Sequence, residues 1–378
     1  MTGGVATSGA ERGVAMDENP FKFSGVVEKP AFCDREKEQK ELGRYIGNSQ
    51  NVLLYSHRRY GKSSLILQIF KDVKGVKSIY VDLYGTTRVE EFVTALLRGI
   101  SSVESQMNRL IKIMQEGIRS IGINFGIDPV TGSPTASPVF NKVAEDKTID
   151  EVFAVLENLS QKAKMVVAFD EFQEVATYGG AAFEKRLRKS IQRHDNISYI
   201  FAGSQKHLIT EMFKDRNRAF YKLATSYPLG RIETVHYVNW VKHLYQRANR
   251  QIDGKLIEDV VQRCENHPMY VQEFFFNVWM QERLSFGLLD KIEREIVGKR
   301  ILEYANIWDS LTLNQKRALK LLAGTGGENI YAAENLGKYG FRTASQVSAA
   351  LSKLEEDGII DKNQKWKVHD PFFRKWLS

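Results

Sequence analysis

The residues with the clearest chemical role are a lysine and a serine that directly follow a glycine in the segment NVLLYSHRRYGKSSL, residues 51–65. The segment begins with an apolar run, continues through a short basic loop and ends in the pattern of an amphipathic helix. Gly61 can adopt a positive φ, which turns successive backbone N–H groups toward one anion. The start of the next helix adds unpaired N–H groups and a positive dipole end at the same point. This layout is that of a phosphate-binding P-loop.

Within this loop, Lys62 is expected to reach the β- and γ-phosphates of a nucleotide, and the Ser63 hydroxyl to hold a bridging Mg²⁺. The usual pattern is G-x-x-x-x-G-K-[ST], and Ser56 stands at its first glycine. An incidental Gly-Lys-Ser in a strand–turn–helix is the alternative interpretation. The nucleotide-binding residues predicted in the loop are Ser56, His57, Arg58, Arg59, Tyr60, Gly61, Lys62, Ser63 and Ser64.

A P-loop needs a second strand that ends in acidic residues, and the run MVVAF leads directly into Asp170 and Glu171. Asp170 is expected to hold the Mg²⁺ through its water shell, together with Ser63. Glu171 is then placed to polarise the water that attacks the γ-phosphate. The alternative is a strand that ends in an ordinary solvated turn. This alternative is less favoured because the acidic pair follows a Gly-Lys-Ser helix start by roughly a hundred residues.

A third candidate lies at the end of the segment ISYIFAGSQ. In P-loop folds a polar residue at this strand end lies beside the γ-phosphate, which makes Ser204 a candidate catalytic residue and Gln205 the next choice. The alternative is an ordinary helix N-cap, a position that serine favours.

The elements that must position these residues are five strand-like segments separated by helical stretches. Several are continuous apolar runs, as in parallel strands buried on both faces. Alternation of strands and helices predicts a doubly wound α/β sheet with the phosphate loop at the strands' carboxyl ends. The segments are Asn51–Ser56, Lys77–Tyr84, Lys164–Phe172, Ile197–Gln205 and Thr225–Ile232. Residues 90–150 form an insertion, whose first part is predicted to be helical and whose second part is predicted to be a hairpin or a mobile loop.

Composition excludes some classes of protein. The two cysteines, Cys33 and Cys264, form no disulfide or metal pattern, which fits a reducing cytosol. No apolar run approaches the roughly 18 residues of a membrane span, so we predict a cytoplasmic protein without membrane contact. The net charge of +8 is compatible with nucleic acid but is not concentrated in one run. Residues 1–18 are predicted to be a disordered tail.

The chain resembles the archaeal-type ATPases of the STAND/AAA+ group of P-loop NTPases over nearly everything after about the first twenty residues. Each motif is short, but their shared order is specific. Those in the first half are Asn19-Pro20-Phe21, the FxxRxxE-like element around Arg35, SHRRYGKSSL and VVAFDEFQE. Those in the second half are Arg218-Ala219-Phe220-Tyr221, the G-x-P-x-x-x-Q-like element from Asn266 to Gln272, and the DPxxRxWL-like ending at Asp370.

The resemblance implies an ASCE-type P-loop NTPase core at 19–233, a helical lid at 234–308 and a winged helix at 309–378. It places Arg35 beside the adenine pocket and Pro268 near adenine and ribose. Ala219 and Asn266 depart from the family's proline and glycine. Arg58 is the first candidate for stabilising transition-state charge, as arginines do in related enzymes. Arg59, Arg218 and Arg231 are the other arginines that could contact phosphate or a neighbouring subunit.

The C-terminal pattern of three helices and a two-stranded ribbon also predicts a winged helix, a relative of the helix-turn-helix. Its would-be recognition helix, TASQVSAALSKLEE, carries Lys353 as its only cation. Because phosphate neutralisation dominates DNA affinity, strong autonomous DNA binding is not expected. A module that docks on the ATPase or on a protein partner is favoured.

We therefore expect a slow Mg²⁺-dependent ATP hydrolase that acts as a nucleotide-controlled conformational switch. The expected catalytic residues are Lys62, Asp170, Glu171, Arg58 and Ser204, and the Mg²⁺ ligands are Ser63 and Asp170. The main alternative is an ATP-dependent DNA-binding initiator or transposition-type factor that uses the winged helix. A non-hydrolysing scaffold is a third, which the intact acidic pair disfavours. A protein client and a second copy of the chain are the other expected partners.

Overall fold

The computed structural model describes residues 19–104, 106–130, 132–139, 145–178, 180–362 and 365–378. The tail predicted at 1–18 lies outside this range. The centre of the molecule is a parallel sheet of five strands, in the order β2-β5-β6-β1-β7. Its strands are β1 (Val52–Tyr55), β2 (Lys77–Asp82), β5 (Met165–Asp170), β6 (Ile197–Gly203) and β7 (Thr225–Pro228).

Strand burial explains the sheet's position in the core. Every residue of β1, β5 and β6 is buried, as the continuous apolar runs predicted. Because β6 lies between β1 and β5, the P-loop strand and the acidic strand are not direct neighbours. All three end at the same edge of the sheet, and the predicted site residues follow their carboxyl ends.

Helices cover both faces of this sheet. The apolar sides of α1 and α2 pack with one face, and those of α3, α5, α6 and α7 with the other. The helices are α1 (Glu36–Gly47), α2 (Lys62–Asp72), α3 (Val89–Ser101), α5 (Glu145–Ser160), α6 (Gly180–Ile191) and α7 (Lys206–Lys214). A 3₁₀ turn, Phe172–Thr177, follows the acidic strand.

The insertion predicted at 90–150 contains most of α3, a further helix and a hairpin, and it ends in the first residues of α5. Helix α4 (Met107–Gly117) is followed by β3 (Gly122–Ile127) and β4 (Pro134–Val139), which pair in antiparallel register. Ile127 and Val130 at the tip of this hairpin are exposed. The hairpin interpretation of this segment is therefore correct.

The second half of the chain is helical and ends in a winged helix. The lid helices are α8 (Thr234–Arg247), α9 (Gly254–Arg263), α10 (Pro268–Trp279), α11 (Phe286–Lys299) and α12 (Ile301–Ser310). The winged helix consists of α13 (Leu313–Thr325), α14 (Ala333–Lys338), α15 (Ala344–Glu356), β8 (Ile360–Lys362), β9 (Trp366–Val368) and α16 (Pro371–Leu377). Strands β8 and β9 form the antiparallel wing.

The lid and the winged helix share one apolar core. Phe372 of α16 packs edge-on against Tyr270 of α10, and Phe373 lies on Tyr304 of α12. The same cluster of buried side chains continues through α13 and α15. The N-terminal segment joins this core through Phe21, which stacks on Phe275. Across the described residues, each helix is too short or too polar to span a bilayer.

Candidate nucleotide site

The loop between β1 and α2 has the backbone that a phosphate loop needs. Gly61 caps α2 with φ 84°, and Arg59 also has a positive φ, 65°. These left-handed residues turn the loop's N–H groups inward above the helix start. Ser56 is not among the residues with positive φ. The position of the missing glycine therefore tolerates a side chain without backbone strain.

Lys62 is a buried cation that points back across this loop. Its side chain is 5% exposed, and Nζ lies 3.4 Å from the carbonyl oxygen of His57. Burial lowers the pKa of Lys62, and the nearby carboxylates Glu171 and Asp170 only partly oppose this effect. Lys62 forms no ion pair with any described residue within 4.0 Å. An anion bound in the loop would supply the missing countercharge.

The oxygen atoms that could hold Mg²⁺ lie at the foot of the loop. Ser63 Oγ donates a hydrogen bond to Asp170 Oδ2, and the Tyr80 hydroxyl donates to the same oxygen at 2.6 Å. Asp170 is almost fully buried. A hydroxyl and a carboxylate are hard ligands, and Mg²⁺ usually takes one or two protein oxygens besides phosphate and water. The residues present therefore fit the ion.

Glu171 projects from the end of β5 in a left-handed conformation, φ 51°. Its Oε2 accepts hydrogen bonds from Ser204 Oγ at 2.7 Å, from Ser204 N at 3.3 Å and from Gln173 Nε2 at 2.5 Å. Ser204 is thus joined directly to Glu171 across the sheet edge. Ser204 lies directly after β6, and Gln173 lies in the turn after β5. Both partners of Glu171 therefore come from the carboxyl ends of buried parallel strands.

A cavity of about 700 Å³ extends from this loop toward the lid. Of the predicted residues, those that line it are Arg35, Arg58, Arg59, Tyr60, Gly61, Lys62, Ser63, Ser64, Glu171 and Pro268. Four are not in its lining. Asp170 and Ser56 are buried outside the lining, Ser204 lines a neighbouring cavity, and the His57 side chain contacts the wing.

The far end of the cavity is apolar and closed by the N-terminal segment. Val27, Ala31, Tyr237 and Met269 contribute to its wall. Gln272 bridges the segment, since its Oε1 accepts from the Lys22 N–H at 3.1 Å and its Nε2 donates to the Ala31 carbonyl at 2.5 Å. A pocket of this volume that combines apolar wall residues with the cationic residues of the loop can hold a ligand such as a nucleotide.

The four candidate arginines have different surroundings. Arg58 and Arg59 are exposed, line the cavity and form no ion pair with the described residues. Arg218 is paired with Glu184 and Glu211. Arg231 donates to the Tyr60 hydroxyl at 3.1 Å and to Glu265. Within the described chain, Arg58 and Arg59 are therefore the arginines of this set without a carboxylate partner.

The loop also contacts the wing. His57 Nε2 lies 3.1 Å from Asp361 Oδ2, and Lys206 Nζ, which follows Ser204 by two residues, lies 3.5 Å from Asp361 Oδ1. Burial alone would raise the pKa of Asp361, but the hydrogen bond and charge of His57 and the charge of Lys206 together outweigh it and hold this pKa below its usual range. The His57 ring also packs against His369, with centroids 4.4 Å apart.

A lid residue completes this junction. Glu265 pairs with Arg231 from the core, with Lys367 from the wing and with Arg374 from α16. The next residue, Asn266, has φ 59°, at the position where the resembling family has glycine. Asparagine tolerates this conformation better than most residues, which explains how the substitution preserves the turn before α10.

Among the residues that contact the acidic pair or the P-loop, four were not predicted as site residues. Tyr80 and Gln173 contact the two acids, and Asp361 and His369 contact the loop from the wing. Gln173 is two residues beyond Glu171 and could have been noticed from that spacing. The other three carry no local signal.

Comparison with known proteins supports the fold. A family model described as a probable winged helix domain matches residues 302–378. A Walker-type ATPase of Pyrococcus abyssi is similar over 94% of this chain and 99% of its own, with a TM-score of 0.68 and 20% identity. The ORC2 protein of Aeropyrum pernix, in ADPNP and ADP complexes, is similar over 96% of both chains, with a TM-score of 0.58 and 15% identity.

No curated protein sequence is significantly similar to this chain. The two structural neighbours and the winged-helix model are consistent with the resemblance to archaeal-type ATPases. They confirm the predicted fold class, a P-loop NTPase fold with a parallel central sheet, followed by a helical lid and a winged helix.

Proposed function

We propose that this protein is a slow Mg²⁺-dependent ATP hydrolase that switches the position of its winged helix. The observation that carries the proposal is the contact of Asp361 with both His57 of the P-loop and Lys206 beyond the β6 end. One wing carboxylate thereby touches the two segments that would meet the phosphates of a bound nucleotide. Nucleotide-dependent movement of either segment would change the contacts of Asp361 that attach the wing to the ATPase core.

The proposed chemistry uses the residues around the loop. The N–H groups of the P-loop and Lys62 would bind the β- and γ-phosphates. Ser63 and Asp170 would hold Mg²⁺, which neutralises charge that develops on the phosphate oxygens. Glu171 would accept the proton of the attacking water. Arg58 and Arg59 line both the nucleotide cavity and the cavity beneath the wing, so either could sense the γ-phosphate.

Two substitutions in the full chain test the hydrolase. Lys62→Ala should weaken Mg·ATP binding at least about 10-fold, because a buried countercharge to the phosphates is lost. Glu171→Gln should keep ATP binding while turnover falls about 10²–10⁴-fold, the usual contribution of a general base. Fluorescent-nucleotide titration and phosphate release measure these effects. Unchanged binding in the first variant, or unchanged hydrolysis in the second, would refute the assignment.

The switch is tested by hydrogen exchange of the wing. Backbone amides of β8 and β9 should exchange at different rates with Mg·ADP and with Mg·ATP in the Glu171→Gln variant, which holds the substrate unhydrolysed. The Lys62→Ala variant is the matched control and should show no nucleotide effect. Equal exchange with both nucleotides would exclude a nucleotide-controlled wing.

A second candidate function is ATP-dependent DNA binding, and the orientation of α15 favours keeping it. Thr343 at the N-cap of this helix and Ser345 and Ser348 on its first turns are exposed, whereas the wing contacts the ATPase core through Asp361. However, Lys353 is neutralised by Glu356 and Asp357. Duplex binding measured from low to high salt, with and without ATP, separates the two functions: a steep salt dependence that needs ATP would establish DNA binding.

A further inference from the structure

Gln173 is a buried polar side chain next to the acidic pair for which the proposed chemistry above gives no role. It lies in the 3₁₀ turn after β5 and is 1% exposed. Its Nε2 donates to Glu171 Oε2 at 2.5 Å. Its other amide atom, Oε1, is buried without a hydrogen-bond partner in the described structure. A buried amide with one atom unpartnered is costly in a core, so packing alone does not account for glutamine at this position.

The neighbouring glycine makes room for this amide. A Cβ added to Gly203 would fall well inside van der Waals contact of Gln173 Oε1 and of Ile209 Cδ1. Gly203 is the last residue of β6 and precedes Ser204. The amide therefore enters the site through a gap that a side chain would close.

The two neighbours act on one oxygen of Glu171. Gln173 Nε2 and the Ser204 hydroxyl and N–H all donate to Oε2. From the described part of the chain, Oε1 of Glu171 receives no hydrogen bond. Because Glu171 lines the nucleotide cavity next to Lys62, the free oxygen is the one available to a water molecule there.

We propose that Gln173 is a positioning residue that fixes Glu171 for proton abstraction, an inference that rests on the proposed hydrolase function. The Glu171 Oε1 accepts a proton from water as the water oxygen bonds to the γ-phosphorus. The bond from that phosphorus to the β,γ-bridging oxygen breaks, and ADP leaves with the electron pair. Gln173 neither gains nor loses a proton; it keeps Oε2 occupied so that Oε1 faces the water.

The test replaces the amide and keeps its volume, in the full chain with Mg·ATP as the probe. Gln173→Met should lower kcat about 10-fold or more, part of what a general base contributes, with KM and nucleotide Kd within about twofold and an unchanged melting temperature. A fall in kcat/KM that follows a weaker Kd, or no fall in kcat, would overturn the proposal. Gln173→Leu replaces it if the Met variant does not fold.

A double-mutant cycle separates this proposal from the hydrolase assignment. If Gln173 acts through Glu171, Gln173→Met should cost nothing further in the Glu171→Gln background. An additive loss there would overturn the positioning role, whereas a fully active Glu171→Gln variant would overturn the hydrolase mechanism itself. Gln315→Met is the matched control, because this buried glutamine caps α13 in the winged helix; it should leave kcat unchanged.

Discussion

At the scale of single residues, Asp170 Oδ2 links strand β5 to two other elements, α2 and β2. It accepts the hydroxyl hydrogens of Ser63 from α2 and of Tyr80 from β2. If Mg²⁺ binds, the Ser63 hydroxyl can present a lone pair to the ion and still donate its hydrogen to Asp170, because a hydroxyl has one O–H and two lone pairs. The Tyr80 contact would then remain to orient the carboxylate, in the manner of groups that surround metal ligands.

Tyr80→Phe should therefore raise the Mg²⁺ concentration needed for half-maximal ATP hydrolysis. Loss of such an orienting partner typically costs about 10-fold or more in metal affinity. A Mg²⁺ titration of phosphate release at fixed ATP measures the effect. Tyr227→Phe is the control, since Tyr227 bonds Glu41 away from the site. The same Mg²⁺ dependence in both variants would contradict a role for Tyr80.

Which residues the sequence could identify depends on how local their roles are. Lys62 and Glu171 directly follow a loop or a strand whose pattern is visible over a few residues. Tyr80 is different, because it lies in a half-buried strand whose sequence gives no sign of a site. It reaches Asp170 only because β2 pairs with β5. The two partners of Asp361 lie far away in the chain, His57 by about 300 residues and Lys206 by about 150. No local pattern predicts which surface a wing will contact.

At the scale of elements, the wing is held to the core by few charged contacts. The Asp361 carboxylate is 19% exposed, and the Lys206 side chain is 45% exposed. Pairs of this kind contribute about 1 kcal/mol or less. The wing is thus attached firmly enough to have a preferred position and weakly enough for a ligand to move it.

Asp361→Asn should loosen this attachment. A loss of about 1 kcal/mol corresponds to roughly fivefold faster opening, measured as hydrogen exchange of the β8 and β9 amides in the nucleotide-free protein. Glu328→Gln is the matched control, because Glu328 pairs with Lys365 on the exposed side of the wing. Equal exchange in the two variants would show that Asp361 does not hold the wing.

At the scale of the whole molecule, two buried histidines at the junction of the P-loop, the lid and the wing contribute to the pH dependence of stability. Burial, followed by nearby positive groups, lowers the pKa of His369 to about 3 and that of His267 well below its usual range. The groups that face His369 come from the P-loop, the β7–α8 connection, the lid and the wing: His57, Tyr60, Arg231, Glu265, His267 and Asp361.

An unfolded histidine protonates near pH 6.5, so below that pH the unfolded chain binds more protons than the folded one. The free energy of unfolding should therefore fall as pH drops from about 7 toward 4, by up to about 1.4 kcal/mol per pH unit for each histidine. Asp361 adds to the loss only near and below pH 4, where an unfolded aspartate protonates.

Urea unfolding at pH 7.5, 6.5 and 5.5 (values chosen about the unfolded histidine pKa) measures this slope. His369→Phe should reduce this slope, because phenylalanine keeps an aromatic ring at the position but has no group that titrates. His243→Gln on the exposed side of α8 is the control and should leave it unchanged. An identical slope in the His369 variant would exclude this histidine as a source of the pH dependence.

The shared core of the lid and the winged helix has a consequence for how the chain is made on the ribosome. Phe372 and Phe373 of α16 fill the apolar surface of lid helices that precede them by up to about a hundred residues. The sheet, in contrast, is complete once β7 has been synthesised. During translation the phosphate loop can therefore form on a complete sheet before α16 has been synthesised, when the apolar core of the lid is still incomplete. Domains generally fold in the order in which they emerge, so nucleotide could meet an open site before the lid exists to cover it.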